Sequence, residues 1–96
     1  MVLAVAVLSC RRERRHSVTL TWNASPSTAD LTVVGYNVYR RTGAGAPFKH
    51  IANHVPGPPF EDREVDSGTT YFYAVTALDQ RDRESGLSNV IKVEIP

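Results

Sequence analysis

Polar and apolar residues alternate along much of this chain, which is the period of a β-strand with one buried face. The alternation is unbroken over residues 17–22, SVTLTW, and it recurs over residues 33–41 and 70–79. The apolar face of each strand predicts a shared core. We expect that core to contain Val18, Leu20, Trp22, Tyr36, Val38, Phe60, Tyr71, Tyr73, Val75, Ile91 and Val93.

Shorter stretches at residues 48–52, 60–65 and 88–95 predict three more strands. Segments rich in Pro, Gly, Ser, Asp and Asn separate the strands and indicate turns, and the PGPP segment excludes regular pairing there. No stretch keeps the apolar period of a helix over several turns. The sequence therefore predicts an all-β antiparallel sandwich or barrel.

Four segments together resemble a fibronectin type III domain over residues 16–96. In chain order they are SVTLTW, GYNVYR, VDSGTTYFYAVTALD and ESGLSNVIKVEI. The resemblance implies an immunoglobulin-like antiparallel β-sandwich of seven strands, in sheets of three and four strands with Greek-key connections. The subtype is most similar to modules of bacterial secreted and envelope proteins.

The resemblance also implies roles for individual residues. Tyr71 matches the tyrosine-corner position, where the ring packs inward and the hydroxyl bonds to a backbone group upstream, near Asp66. Gly68 stands in the preceding turn, where a positive φ is expected. The implied structural core comprises Trp22, Tyr36, Tyr71, Tyr73 and Val75.

Residues 1–15 precede the resembling domain, and three interpretations of them stay open. Residues 2–9 are the candidate for the first strand of a complete domain, although the run is apolar on both faces. Alternatively, VLSC resembles the lipobox of a lipoprotein signal, in which Cys10 is acylated and becomes the new N-terminus, although no positive charge precedes the run. The third interpretation is a gene-boundary artefact.

The size and the net charge of the chain exclude some classes of function. The chain has 96 residues, the size of one small domain, which excludes a deep cleft between domains. The net charge is +1, but four basic residues and one acidic residue lie at positions 11–15. Residues 16–96 therefore hold 7 basic and 9 acidic residues, a net charge of −2, and have no general attraction for nucleic acid. The basic segment is expected to be a solvated tether or turn.

No residue group matches a catalytic or metal-binding motif. His50 and His54 stand four apart, but in a predicted strand and loop their side chains need not converge on a metal. Asp62, Glu64 and Asp66 alternate along a predicted strand, a pattern that usually keeps a strand edge soluble. The single cysteine excludes an internal disulfide framework. We expect no catalytic residue, no metal and no cofactor.

The outward side of the sheet is the candidate partner surface. Tyr39 and Phe72 are expected near each other on adjacent strands, with Arg41 beside them. Such a group suits contact with a protein or a carbohydrate, and cross-strand pairing that stabilises the sheet is the alternative. The loop at residues 79–84 adds further candidates. It lacks the Arg-Gly-Asp tripeptide, so integrin binding is not expected. The loop candidates are Arg81, Asp82 and Arg83.

These features favour a non-catalytic interaction or spacer module, extracellular or in the cell envelope, that acts in adhesion through protein or glycan contact. The alternative is an accessory module that serves a polysaccharide-degrading enzyme. We expect a monomer with no nucleic-acid partner, and a membrane attachment only if Cys10 is acylated.

Overall fold

The structure is a computed structural model, which describes residues 4–10, 16–23, 32–43 and 45–96. Every helix or strand assigned in those ranges is a β-strand. The strands are β1 (Ala4–Cys10), β2 (His16–Trp22), β3 (Val33–Thr42), β4 (Lys49–Val55), β5 (Phe60–Asp62), β6 (Thr70–Asp79) and β7 (Ile91–Glu94).

The strands form two antiparallel sheets, with orders β1-β2-β5 and β4-β3-β6-β7. This arrangement confirms the predicted immunoglobulin-like sandwich with sheets of three and four strands. β4 is longer than predicted because its pairing with β3 continues to Val55. β5 is shorter, because the Asp62 carboxylate accepts a hydrogen bond from the Glu64 backbone N–H at 3.1 Å and turns the chain out of the strand.

β1 occupies the position of the first strand of the sandwich. It pairs with β2 along its whole length, with Ala4 opposite Trp22 and Cys10 opposite His16. The basic segment at positions 11–15, which the sequence predicts to be a tether or turn, lies outside the described residues. Acylation of Cys10 stays a prediction of the lipobox resemblance.

The chain passes into and out of the sandwich at opposite ends. Ala4 lies opposite Trp22, and the Trp22 ring packs against Tyr36, which pairs with the C-terminal half of β6. Glu94 lies opposite Thr70, at the N-terminal end of β6. At the rise of an extended strand, these two ends are roughly 20 Å apart.

Alternate residues of both sheets form one apolar layer between them. Trp22 meets Tyr36 edge-on, with ring centroids 5.3 Å apart and an interplanar angle of 60°. Phe60 and Ile91 are only half-buried, because each begins a strand at the edge of its sheet. The other residues predicted for the core are all buried: Val18, Leu20, Trp22, Tyr36, Val38, Tyr71, Tyr73, Val75 and Val93.

The prediction that the carboxylates of this strand keep a sheet edge soluble is wrong for Asp62. Its side chain is buried, and Oδ2 accepts hydrogen bonds from the Tyr73 hydroxyl at 2.7 Å and from the Arg40 guanidinium at 2.8 Å. Burial and the bond to Asp62 raise the pKa of the Tyr73 hydroxyl. Asp62 belongs to one sheet and both of its partners belong to the other, so this ion pair joins the two layers.

The tyrosine corner that the resemblance implies is present. The Tyr71 ring is buried, and its hydroxyl oxygen accepts a hydrogen bond from the Asp66 backbone N–H at 2.9 Å. Gly68 has a φ of 75°, a conformation that a residue with a Cβ adopts at a cost. Its N–H donates to the Ile95 carbonyl at 3.0 Å, which fastens the turn to the C-terminal strand.

Two serines extend the pairing of β6 beyond β7. Ser85 donates its backbone N–H to the Ala77 carbonyl, and its Oγ accepts from the Ala77 N–H. Ser88 repeats both bonds with Val75. β7 therefore begins later than predicted, because the serine hydroxyls replace backbone carbonyls over the first part of that edge.

We expect Asp62→Ala to lower the free energy of unfolding by about 3 kcal/mol, because it leaves the Arg40 charge and the Tyr73 hydroxyl without their shared partner. Urea unfolding followed by Trp22 fluorescence measures the loss. The neighbouring Glu61→Ala is the control, since Glu61 makes a surface pair with Arg63, and we expect a change within about 0.5 kcal/mol. Equal losses for the two variants would contradict the bridging role.

We expect Tyr71→Phe to lower the free energy of unfolding by about 1 kcal/mol, because the Asp66 N–H loses its acceptor while the ring packing is kept. Thermal and urea unfolding both measure this change. An unchanged midpoint in both experiments would show that the corner bond does not stabilise the fold.

Candidate functional site

The outward side of the four-stranded sheet, which we call the outer face, has a regular cross-strand arrangement. The register places Arg41 of β3 directly opposite Phe72 of β6, and Phe72 directly opposite Lys92 of β7. The next row places Tyr39 between His50 and Ala74. In all, the face carries Asn37, Tyr39, Arg41, His50, Phe72, Ala74, Thr76 and Lys92.

Arg41 is clamped between two aromatic rings on this face. Its guanidinium carbon lies 4.6 Å from the Phe48 ring centroid and 4.9 Å from the Phe72 centroid, both within cation–π range. The Arg41 Nε is buried and has no hydrogen-bond partner among the described residues. The ion pairs of the described ranges do not include Arg41 either. The clamp thus holds a cation in place with no counter-ion among the residues that the structure describes.

Tyr39 lies on the strand next to Phe72, as expected, but the two rings are not paired. Tyr39 is opposite Ala74, two positions along β6 from Phe72. Its ring stacks instead on His50, at a centroid distance of 5.0 Å and an interplanar angle of 22°. The expected aromatic pair is therefore replaced by two separate stacks, one containing Arg41 and one containing His50.

Glu84 ties the last loop to the outer face, a contact that the sequence analysis did not identify. Its Oε2 accepts hydrogen bonds from the Thr76 hydroxyl at 2.6 Å, the Asn37 amide at 3.0 Å and the Tyr39 hydroxyl. The bonds from Thr76 and Tyr39 hold the pKa of Glu84 below its ordinary value. Asn37 is buried, and its Oδ1 accepts from the His54 N–H at 3.2 Å, which links β4 to the same cluster.

Asp79 shapes the loop that carries the remaining candidates. Its Oδ1 accepts from the backbone N–H groups of Arg81 and Arg83, both at 2.8 Å, and its Oδ2 accepts from the Arg83 Nε at 2.6 Å. Partial burial opposes the ionisation of Asp79, but these donors outweigh it and lower its pKa. Asp82 has a φ of 59° and lies 3.3 Å from the His54 Nε2.

The three loop candidates therefore differ in what they offer a partner. Arg83 and Asp82 already have side-chain partners within the domain. Arg81 is exposed, and the ion pairs and side-chain hydrogen bonds of the described ranges do not include its guanidinium. Asp79 thus fixes the shape of the loop, and within the described ranges the Arg81 guanidinium is the loop cation without a side-chain partner.

His50 and His54 have different partners and do not converge. His50 stacks on Tyr39, whereas His54 turns to Asp82. In the part of the chain that the structure describes, no three His, Cys, Asp or Glu side chains come together. Nor do the described segments include an apolar helix long enough to cross a membrane.

Comparison with known sequences identifies the family. The profile described as "Fibronectin type III domain SaeA third domain" matches residues 9–96. The chain belongs to the fibronectin type III family. Among solved structures, a Fn3-like protein from Clostridium thermocellum is 32% identical, with a TM-score of 0.70, and the match covers 83% of this chain and 77% of that one.

This fibronectin type III domain is also homologous to segments of polysaccharide-degrading enzymes. It is 39% identical over 72 residues to an amylopullulanase of Thermoanaerobacterium thermosulfurigenes, and 37% identical over 78 residues to chitinase A1 of Niallia circulans. These matches cover 75% and 81% of the chain. The chain spans only 4% of the amylopullulanase and 10% of the chitinase.

We expect Glu84→Gln to lower the free energy of unfolding by about 1 kcal/mol at neutral pH, because an amide cannot accept three donors as a carboxylate does. The native pKa of Glu84 is lowered, so its contribution is present above the unfolded pKa of about 4.3 and is lost as the pH falls through the native value. Urea unfolding at neutral and at acidic pH measures the difference between variant and wild type.

The control for this prediction is Glu94→Gln, since Glu94 makes an exposed pair with Lys92 at 3.2 Å. We expect that control to change stability by less than about 0.5 kcal/mol at either pH. If the cost of Glu84→Gln does not shrink on acidification, ionised Glu84 is not the acceptor that fastens the loop.

Proposed function

We propose that this domain is a non-catalytic accessory module of an extracellular polysaccharide-degrading enzyme. The observation that carries the proposal is the 39% identity to a short segment of an amylopullulanase, together with the 37% identity to part of a chitinase. In both relatives the matching segment is a small fraction of the protein, so most of each enzyme lies outside it. Of the two hypotheses drawn from the sequence, these homologies favour the accessory module over a free-standing adhesion module.

The side-chain chemistry supports a non-catalytic role. Nucleophilic catalysis needs a hydroxyl or thiol next to a base that is itself oriented. The Ser85 and Ser88 hydroxyls are engaged instead with the backbone of β6, and they donate to the carbonyls of Gly86 and Asn89. The Glu84 carboxylate is likewise occupied by its three donors.

The path of the chain supports a spacing role. The start of β1 and the end of β7 lie at opposite ends of the sandwich. Segments attached there would be held roughly 20 Å apart. The ion pair between Arg40 and Asp62 and the Tyr71 corner would keep that spacing rigid. A rigid module of this kind sets the distance and orientation between neighbouring domains.

An extracellular location agrees with the substrates that the relatives' names imply. Chitin and pullulan are polysaccharides too large to enter cells, so the enzymes that degrade them meet them outside. The single cysteine rules out a disulfide within the chain, and the buried apolar core can stabilise a domain of this size without one. Acylation of Cys10 would place the module at the outer surface of a membrane, but it would remove residues 1–9 and with them most of β1, so it is an alternative to the seven-stranded spacer.

The test uses an antibody against the 96-residue chain to capture the native protein that carries it from culture fluid and from cell extracts of the source organism. We expect capture from the culture fluid, together with release of reducing sugars from starch, pullulan or chitin. The isolated chain should release none, because catalysis is expected elsewhere in the enzyme.

Antibody that has been saturated with free chain is the control for non-specific capture. Captured protein without polysaccharide hydrolysis would overturn the accessory role. A protein found only inside cells would overturn the extracellular location.

A further inference from the structure

We infer that Arg41, clamped between Phe48 and Phe72, is the centre of a surface that contacts a neutral polysaccharide chain. This inference rests on the proposed function and adds the chemical class and the place of the contact. It is not required for a spacing role, so each of the two can fail separately.

The first argument is the state of the Arg41 side chain. Two ring contacts, at 4.6 Å and 4.9 Å, restrict the guanidinium to one orientation. A planar guanidinium presents several donors in a fixed fork, and the described residues supply no acceptor for it. Arg40, the preceding residue, shows the contrast, because its guanidinium is occupied by Asp62. The ordering cost of Arg41 has therefore been met before a ligand arrives.

The second argument is the shape and composition of the surrounding face. Arg41, Phe72 and Lys92 follow one another across β3, β6 and β7, and Phe48, just before β4, extends the row on the other side of Arg41. Ala74 and Thr76, in the next two rows of β6, are buried, so the half-buried rings beside Arg41 are the apolar surface that a ligand can reach there. Apolar ring edges beside fixed donors match a sugar chain, which presents apolar C–H patches and hydroxyl groups in alternation.

The charges of the face favour a neutral chain over a polyanion. Lys92 is 3.2 Å from Glu94, and Glu84 keeps a negative charge within the same sheet face. Among the described residues, Arg41 is thus a single cation without a counter-ion beside balanced neighbours, whereas a polyanion is bound by a run of cations. Adjacent hydroxyls of a neutral sugar can accept both arms of a single guanidinium.

The experiment is an NMR titration of the ¹⁵N-labelled 96-residue chain with maltohexaose, with chitohexaose and, separately, with hexagalacturonate. We expect maltohexaose or chitohexaose to shift the amides of β3, β4 and β6 on the outer face. Arg41→Ala should abolish the shifts, and Arg41→Lys should weaken binding by about tenfold, because an ammonium keeps the charge but loses the planar fork.

Two arginine variants serve as matched controls. Arg63→Ala removes the same charge from the end of β5 in the other sheet, and Arg81→Ala removes it from the loop tip. Neither should change the affinity. Thermal unfolding of each variant shows whether the fold is kept, and Arg41→Lys provides the decisive comparison if Arg41→Ala is destabilised.

Three results would overturn the inference. The first is shifts confined to residues 79–86, with binding lost in Arg81→Ala. The second is binding of hexagalacturonate alone that disappears in salt. The third is no binding of any of the three sugars, which would refute the glycan contact while antibody capture still decides the accessory role.

Discussion

The buried carboxylate of Asp62 is the interaction on which the arrangement of the two sheets depends. It belongs to the three-stranded sheet, and it is neutralised by Arg40 and hydrogen-bonded by Tyr73 from the four-stranded sheet. A carboxylate in this position is costly unless both partners are in place, so the pair opposes any sliding of one layer over the other. Apolar packing of Leu20, Val38 and their neighbours supplies the main driving force but is far less specific about register.

The inward bond of Arg40 has a consequence on the opposite side of the sheet. Successive side chains of a strand point to opposite faces, so Arg41 must point outward when Arg40 points to Asp62. Two consecutive arginines thus have different roles, one as a partner in a buried ion pair and one as a clamped surface cation. The outer face is stiffened further because Glu84 gathers Asn37, Tyr39 and Thr76 around one carboxylate.

These features agree with the proposed role as an accessory module in polysaccharide degradation. Homology to short segments of an amylopullulanase and a chitinase associates the domain with large multi-part enzymes. A sandwich in which the first strand begins and the last strand ends at opposite ends is suited to hold neighbouring segments apart. The clamped Arg41 offers a separate contact on the outer face. Spacing and weak glycan contact are compatible, because they use different parts of the same rigid body.

The period-two alternation of the sequence by itself predicted the strands after β1 and most of the core, because it reports directly which side chains are buried. The division into two sheets was an implication of the resemblance to the fibronectin type III family, and the place of β1 stayed open until the structure. The resemblance also implied the Tyr71 corner, which the structure confirms. The sequence did not reveal the roles of Asp62 and Glu84, because each depends on partners that are 8 to 47 residues away in the chain. Nor did it show that Tyr39 pairs with His50 rather than with Phe72. The turn between β3 and β4 was a usable signal, because a hairpin there brings Phe48 beside Arg41 and His50 beside Tyr39. Only the tertiary structure decided these contacts, because a carboxylate on a strand has the same local pattern whether it meets water or an arginine from the other sheet.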